Sequence, residues 1–230
     1  MKKLPDSKVY EQELKFMPYK DSLKEVLDYL IKKSPKNGKL LDTMCGPGYL
    51  LGKIQNKRKD LQLTGVDIDK RYIAFSKKKY PNIQFELGDA LSWKSKELFD
   101  VVVCTGSVHH IPYQKQEIVI KNISLMLKPN GLVIISDCYV DDYLDEVDRK
   151  TAASKLGYEY LKETILNGAP KKVIEATIDI IYNDVLMNEF KTSIKKRTPI
   201  IKKYFRKIKT LKTWPKIKSE YGDYIMICRK

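Results

Sequence analysis

Residues 40 to 52 read Leu40-Leu41-Asp42-Thr43-Met44-Cys45-Gly46-Pro47-Gly48-Tyr49-Leu50-Leu51-Gly52. An apolar run ends in a carboxylate, and glycines at 46 and 48 open onto a segment of helical character. This is the layout of a strand, a tight turn and a helix start. The glycines permit positive φ and let the backbone approach a ligand closely. The helix start offers N–H groups and a partial positive charge of roughly half a unit. Met44 stands where many such loops carry another glycine.

Two cofactor classes use this design. A dinucleotide loop wants Gly-x-Gly-x-x-Gly/Ala. Counting from Gly46, the sixth position is Leu51, too large for that close helix–strand contact. Asp67 lies about twenty residues on, as that fingerprint also requires, so the acid alone decides nothing. Three later segments separate the classes. Leu63 to Asp69 ends a second strand with an acid, Ile83 to Ala90 ends a third with Gly88-Asp89, and Phe99 to Pro112 supplies a fourth that runs into His109-His110.

In that order, loop, acid, Gly-Asp and Phe-Asp-strand-His-His resemble the class I S-adenosylmethionine-dependent methyltransferases, over roughly residues 20 to 137 and the last strand near 223 to 229. The resemblance implies a Rossmann-like, doubly wound α/β fold: a seven-stranded, mostly parallel sheet with a C-terminal antiparallel hairpin. It implies S-adenosyl-L-methionine as cofactor. Asp42, with the loop Cys45, Gly46 and Gly48, would serve its methionine part, and Asp67 would accept from both ribose hydroxyls, a task suited to two carboxylate oxygens. Asp69 competes for that role and otherwise caps the next helix. Ile68 would lie on the adenine face, and Asp89 and the Ala90 N–H would meet the adenine edge. Cys104 and Thr105 would end the fourth strand below the sulfonium.

His109 and His110 are the only histidines, and histidine is readily tuned as a base near neutral pH. His109 is the expected base and His110 the expected pocket wall. Tyr10, Tyr19 and Tyr139 are candidate acceptor-contacting residues. There is no Asp/Asn-Pro-Pro-Tyr/Phe after the fourth strand, which counts against methylation of nucleobase amines. Ser136-Asp137 does not continue into an Asp-Asn pair, which counts against a catechol-type site, so no metal is expected. The expected reaction is therefore metal-independent O- or N-methylation of a small-molecule acceptor.

The chain has 230 residues and a net charge of +15. That suits one domain: an N-terminal helical cap (1–36), a cofactor-binding core (37–137), a helical lid insertion (138–200), and a last helix end with the hairpin (201–230). The positive charge fits either Lys-rich solvated faces or an anionic partner. Lys191 to Lys218, interleaved with Tyr204, Phe205 and Trp214, keeps an RNA substrate open as a second function. A cofactor-binding regulator without catalysis is a third. No apolar run reaches the ~20 residues of a membrane span. Met1-Lys-Lys-Leu-Pro5 lacks the apolar stretch of a signal peptide, and the four cysteines form no Cys-x-x-Cys pair. These features predict a cytoplasmic protein with reduced thiols. Oligomeric state is not legible.

Overall fold

The structure, a computed structural model, describes residues 7–186 and 189–230. The segment read for a leader, Met1 to Pro5, lies outside the described residues. Strands β1 (Lys39–Thr43), β2 (Gln62–Asp67), β3 (Gln84–Leu87), β4 (Phe99–Thr105), β5 (Leu127–Tyr139), β6 (Lys207–Trp214) and β7 (Gly222–Arg229) form one sheet in the order β3-β2-β1-β4-β5-β7-β6. β1 to β5 are mutually parallel, and β7 runs antiparallel to both β5 and β6. The order reverses between β1 and β4, and ligands of open α/β sheets bind outside the strand ends at that crevice.

The central strands are buried along nearly their whole length, as expected where helices cover both faces. On one face, α2 (Tyr19–Lys33) and α3 (Tyr49–Lys57) bury Val26, Leu30, Leu51 and Ile54 against Leu40, Val101 and Ile134. On the other, α5 (Tyr113–Leu125) and α8 (Ile194–Tyr204) bury Val119, Ile123 and Ile201 against Leu41, Val102 and Ile135. α4 (Lys70–Lys79) starts at Asp69, whose carboxylate accepts from Arg71 N at 2.8 Å. That cap satisfies an otherwise unpaired helix-terminal donor.

A third cluster lies over the strand tips. α6 (Glu146–Leu166) and α7 (Lys171–Val185) bring Ala153, Leu156, Tyr160 and Val173 together with Met17 and Trp214. α6 is capped by Asp145, which accepts from Val147 N and Asp148 N. A Cβ at Gly157 would lie 2.5 Å from Ile181 Cγ1, so this glycine lets the two helices approach. α1 (Ser7–Phe16) packs against α7.

Two sequence expectations shift. By helical spacing the sequence from Lys171 to Phe190 predicts an apolar stripe through Ile174, Ile178, Ile181, Val185 and Leu186, but that stripe is not the inward face of α7. Ile178, Val185 and Leu186 are exposed, while Val173, Thr177 and Asp184 are buried. β5, expected at 132–136, runs on to Tyr139 through its pairing with β7. No described helix is long and apolar enough to cross a membrane.

Candidate active site

The tips of β1 to β5, η1 (Val108–His110), α1, α6 and α7 surround a cavity of about 490 Å³. Its wall on the β1–β3 side carries Gly46, Asp67, Ile68, Asp89 and Ala90. Asp67 holds the loop in place. One carboxylate oxygen accepts from Gly46 N and the other from Asp69 N, both at 2.8 Å. Each oxygen keeps a further lone pair. Burial raises the Asp67 pKa, and the two N–H donors oppose that rise. Because Asp69 is occupied as the α4 cap, Asp67 is the acid that faces the cavity. Ile68 offers an aliphatic surface on the same wall, 61% exposed. Asp89 Oδ1 accepts from Leu91 N at 2.9 Å and so shapes the turn after β3.

The loop after β1 turns through three left-handed residues, Met44 (φ 59°), Gly46 (φ 52°) and Gly48 (φ 76°). Asp42 lies beneath it, 1% exposed, and its Oδ1 has no hydrogen-bond partner among the described residues. Burial, and then the nearby Asp67, push its pKa well above the usual carboxylate value. Tyr10 and Tyr19 cover the loop tips. Tyr10 lies over Gly46, and Tyr19 packs on Gly106, where a Cβ would come within 3.0 Å of its ring.

At the other end of the cavity, His109 and His110 meet Glu189. His109 Nδ1 lies 2.5 Å from Asp137 Oδ1 and its Nε2 lies 3.1 Å from Glu189 Oε2. His110 Nδ1 lies 3.0 Å from the same Glu189 oxygen. Lys191 pairs with Asp184 at 2.9 Å and stands 3.6 Å from Glu189. Burial opposes charge on His109, but Cys138 and the Asp137 carboxylate outweigh it and raise its pKa well above the usual imidazole value. Burial lowers the pKa of His110. The two imidazoles therefore differ: the surroundings of His109 favour its charged form and burial of His110 opposes it, and His110 is the more open of the two. The segment carrying Glu189 is anchored by Phe190 N donating to His109 O at 2.6 Å and by Gln116 Nε2 donating to Phe190 O at 2.9 Å.

Of the residues expected at the site, Gly46, Asp67, Ile68, Asp89, Ala90, His109, His110, Tyr10 and Tyr19 line the cavity. Asp42, Cys45, Gly48, Cys104 and Thr105 do not. Cys45 and Cys104 are packed in the two sheet-face cores, and Gly48 is the N-cap of α3. Tyr139 is also misplaced. It is 1% exposed and packs edge-on against Tyr224 at 5.8 Å. Because β5 continues, strand alternation turns Cys138 to the cavity and Tyr139 away. Asp141 and Asp142 bind Lys155 and Ser193 outside the cavity lining. Sequence reasoning missed Tyr160, Asp184, Glu189 and Lys191, which no motif marks.

The donor chemistry of the first wall fits S-adenosylmethionine: a carboxylate for a diol, an aliphatic face for a purine, and a buried orphan carboxylate oxygen under the loop. A profile of the methyltransferase-domain family matches residues 40–131. Residues 40–131 are thus similar to a methyltransferase domain. An uncharacterized methyltransferase of Oceanobacillus iheyensis is 25% identical over 142 residues, covering 61% of this chain and 65% of that one. The trans-aconitate 2-methyltransferase of Sinorhizobium medicae is 29% identical over 114 residues, 48% of this chain and 41% of that one. The chain thus spans less than two thirds of either relative's length. The crystal structure of the N-methyltransferase NodS from Bradyrhizobium japonicum WM9 with S-adenosyl-L-homocysteine aligns at TM-score 0.62 and 14% identity, over 97% of this chain and 96% of that one. That likeness is one of fold.

Proposed function

We propose that the protein transfers a methyl group from S-adenosylmethionine to a small-molecule acceptor held in the cavity beneath α6 and α7. The observation that carries this reading is the character of the cavity wall. The helical insertion lines it on the acceptor side, and its charged lining among the described residues is acidic: Glu13, Asp67, Asp89, Asp179, Asp184 and Glu189 against the ammonium of Lys191. An acidic wall suits a cationic cofactor and opposes a polyanion, in a chain whose net charge is +15. The trans-aconitate enzyme among the relatives also has a small-molecule acceptor by name.

In this reading the cofactor's sulfonium supplies the reactive methyl group. Asp67, Ile68, Asp89 and the Ala90 N–H hold the nucleoside, with Asp42 and the glycine loop beneath the methionine part. Tyr10, Tyr19, α6 and α7 exclude water and hold the acceptor for in-line transfer. Such positioning can contribute on the order of 7–11 kcal/mol. His109, His110 and Glu189 face the polar end of the acceptor. An RNA substrate is less favoured, because Phe205 and Trp214 are buried and offer no ring for base stacking.

The test uses S-adenosylmethionine labelled in its methyl group, incubated with the protein and with cell extract split into low-molecular-mass, RNA and protein fractions. Label in the low-molecular-mass fraction is expected. Label confined to RNA would favour the basic tail as the substrate surface, and cofactor binding with no label anywhere would favour a regulator.

A further inference from the structure

We infer that His109, His110 and Glu189 form a binding site for one first-row divalent cation on the acceptor side of the cavity. His109, His110 and Glu189 each offer one ligand atom, and these three atoms lie within 4.8 Å of one another. The two N···O separations are 3.1 and 3.0 Å. Metal–ligand bonds of about 2.1 Å meeting near a right angle require separations of about 3.0 Å. Two imidazoles and one carboxylate on one face of an ion, with the remaining positions open, is a recurrent ligand set for iron and zinc rather than magnesium. Here the open side is the cavity, which all three residues line.

The surroundings favour the same assignment. His109 Nδ1 is held by Asp137 at 2.5 Å, and a carboxylate behind a ligating imidazole fixes its orientation and raises its basicity. Lys191 is directed to Asp184 at 2.9 Å and stands back from Glu189 at 3.6 Å. The alternative grouping of His109, Asp137 and Cys138 is closed. Its His109–Asp137 contact of 2.5 Å is too short for an ion between the two atoms. The inference departs from the metal-free site expected from the sequence, because Glu189 lies some eighty residues beyond the histidines.

The experiment is titration of the EDTA-stripped full chain with Zn²⁺ by calorimetry and with Co²⁺ by visible d–d absorption. Each variant's S-adenosylhomocysteine affinity and circular dichroism are recorded as folding controls. One ion per chain is expected. Affinity should fall at least about 100-fold in Glu189→Gln and His110→Ala and about 10–100-fold in Asp137→Asn, with S-adenosylhomocysteine binding retained. Cys138→Ser should leave the Co²⁺ spectrum unchanged. Failure of the wild-type protein to bind either ion, or equal binding by Glu189→Gln and His110→Ala, would overturn the site. So would loss of the spectrum in Cys138→Ser alone, which would move the ion to the other grouping. No acceptor enters the measurement, so its failure is distinct from failure of the proposed transfer reaction.

Discussion

Asp67 has two tasks on one carboxylate: it ties Gly46 N and Asp69 N together, and it presents its remaining lone pairs to the cavity. Hydrogen bonds to a charged group contribute about 1.5–3 kcal/mol each. Losing two of them should weaken S-adenosylmethionine binding by about 10²–10⁴-fold in Asp67→Ala, measured by calorimetry. Unchanged affinity would rule out Asp67 as the ribose acid. Asp69→Ala should instead act mainly on the start of α4. Much at this scale was legible, because strand-end acids and left-handed glycines carry local signals. Met44 shows where the local rule bends. It adopts φ 59°, a conformation costing a side-chain-bearing residue roughly 1–2 kcal/mol. Leu51, read as too large for close helix–strand contact, is accommodated by Gly65. A Cβ there would come within 2.8 Å of Leu51 Cδ1. Glu189 was illegible for a different reason: only tertiary structure brings it to the histidines.

Among the elements, the strand–helix alternation and the hairpin emerged close to their observed bounds, since buried parallel strands and amphipathic helices have distinct periods. α7 misled the hydrophobic pattern. Its inward face lines a polar cavity and includes Thr177 and Asp184, so apolar spacing pointed about one residue around the helix. The α6–α7 pair depends on close approach at Gly157. Gly157→Val should force the helices apart. Overpacking of this kind typically costs about 1–3 kcal/mol, readable as a lower urea midpoint together with a weaker grip on the acceptor. A midpoint equal to wild type would show that the helices are not seated as described. Tyr139 was misassigned at this scale too, because the length of β5 is set by β7, a strand some ninety residues distant.

Across the whole molecule, the sheet order places the cofactor wall at the switch between β1 and β4, and the insertion after β5 roofs the same strand tips. One buried pair links that roof to the sheet: Tyr160 of α6 donates to Asp223 of β7. Burial raises the Asp223 pKa from 3.8 to about 7. The folded chain therefore keeps this proton where the unfolded chain has released it. The contribution is fully present below about pH 4 and is lost as pH rises through about 7. At most it is on the order of 4 kcal/mol. Relative to Asp223→Asn, wild type should lose stability between pH 5 and pH 8 in urea titrations. A pH-independent difference would contradict a protonated Asp223. The basic surface and acidic cavity could not be told apart by composition, which sums charges without placing them.

The most direct test is a crystal structure with S-adenosylhomocysteine bound. The account predicts the ribose on Asp67, the adenine between Ile68 and Asp89, and the sulfur opening onto the space bounded by His110, Tyr160 and Glu189. A nucleoside seated elsewhere, or a sulfur turned away from that space, would contradict it.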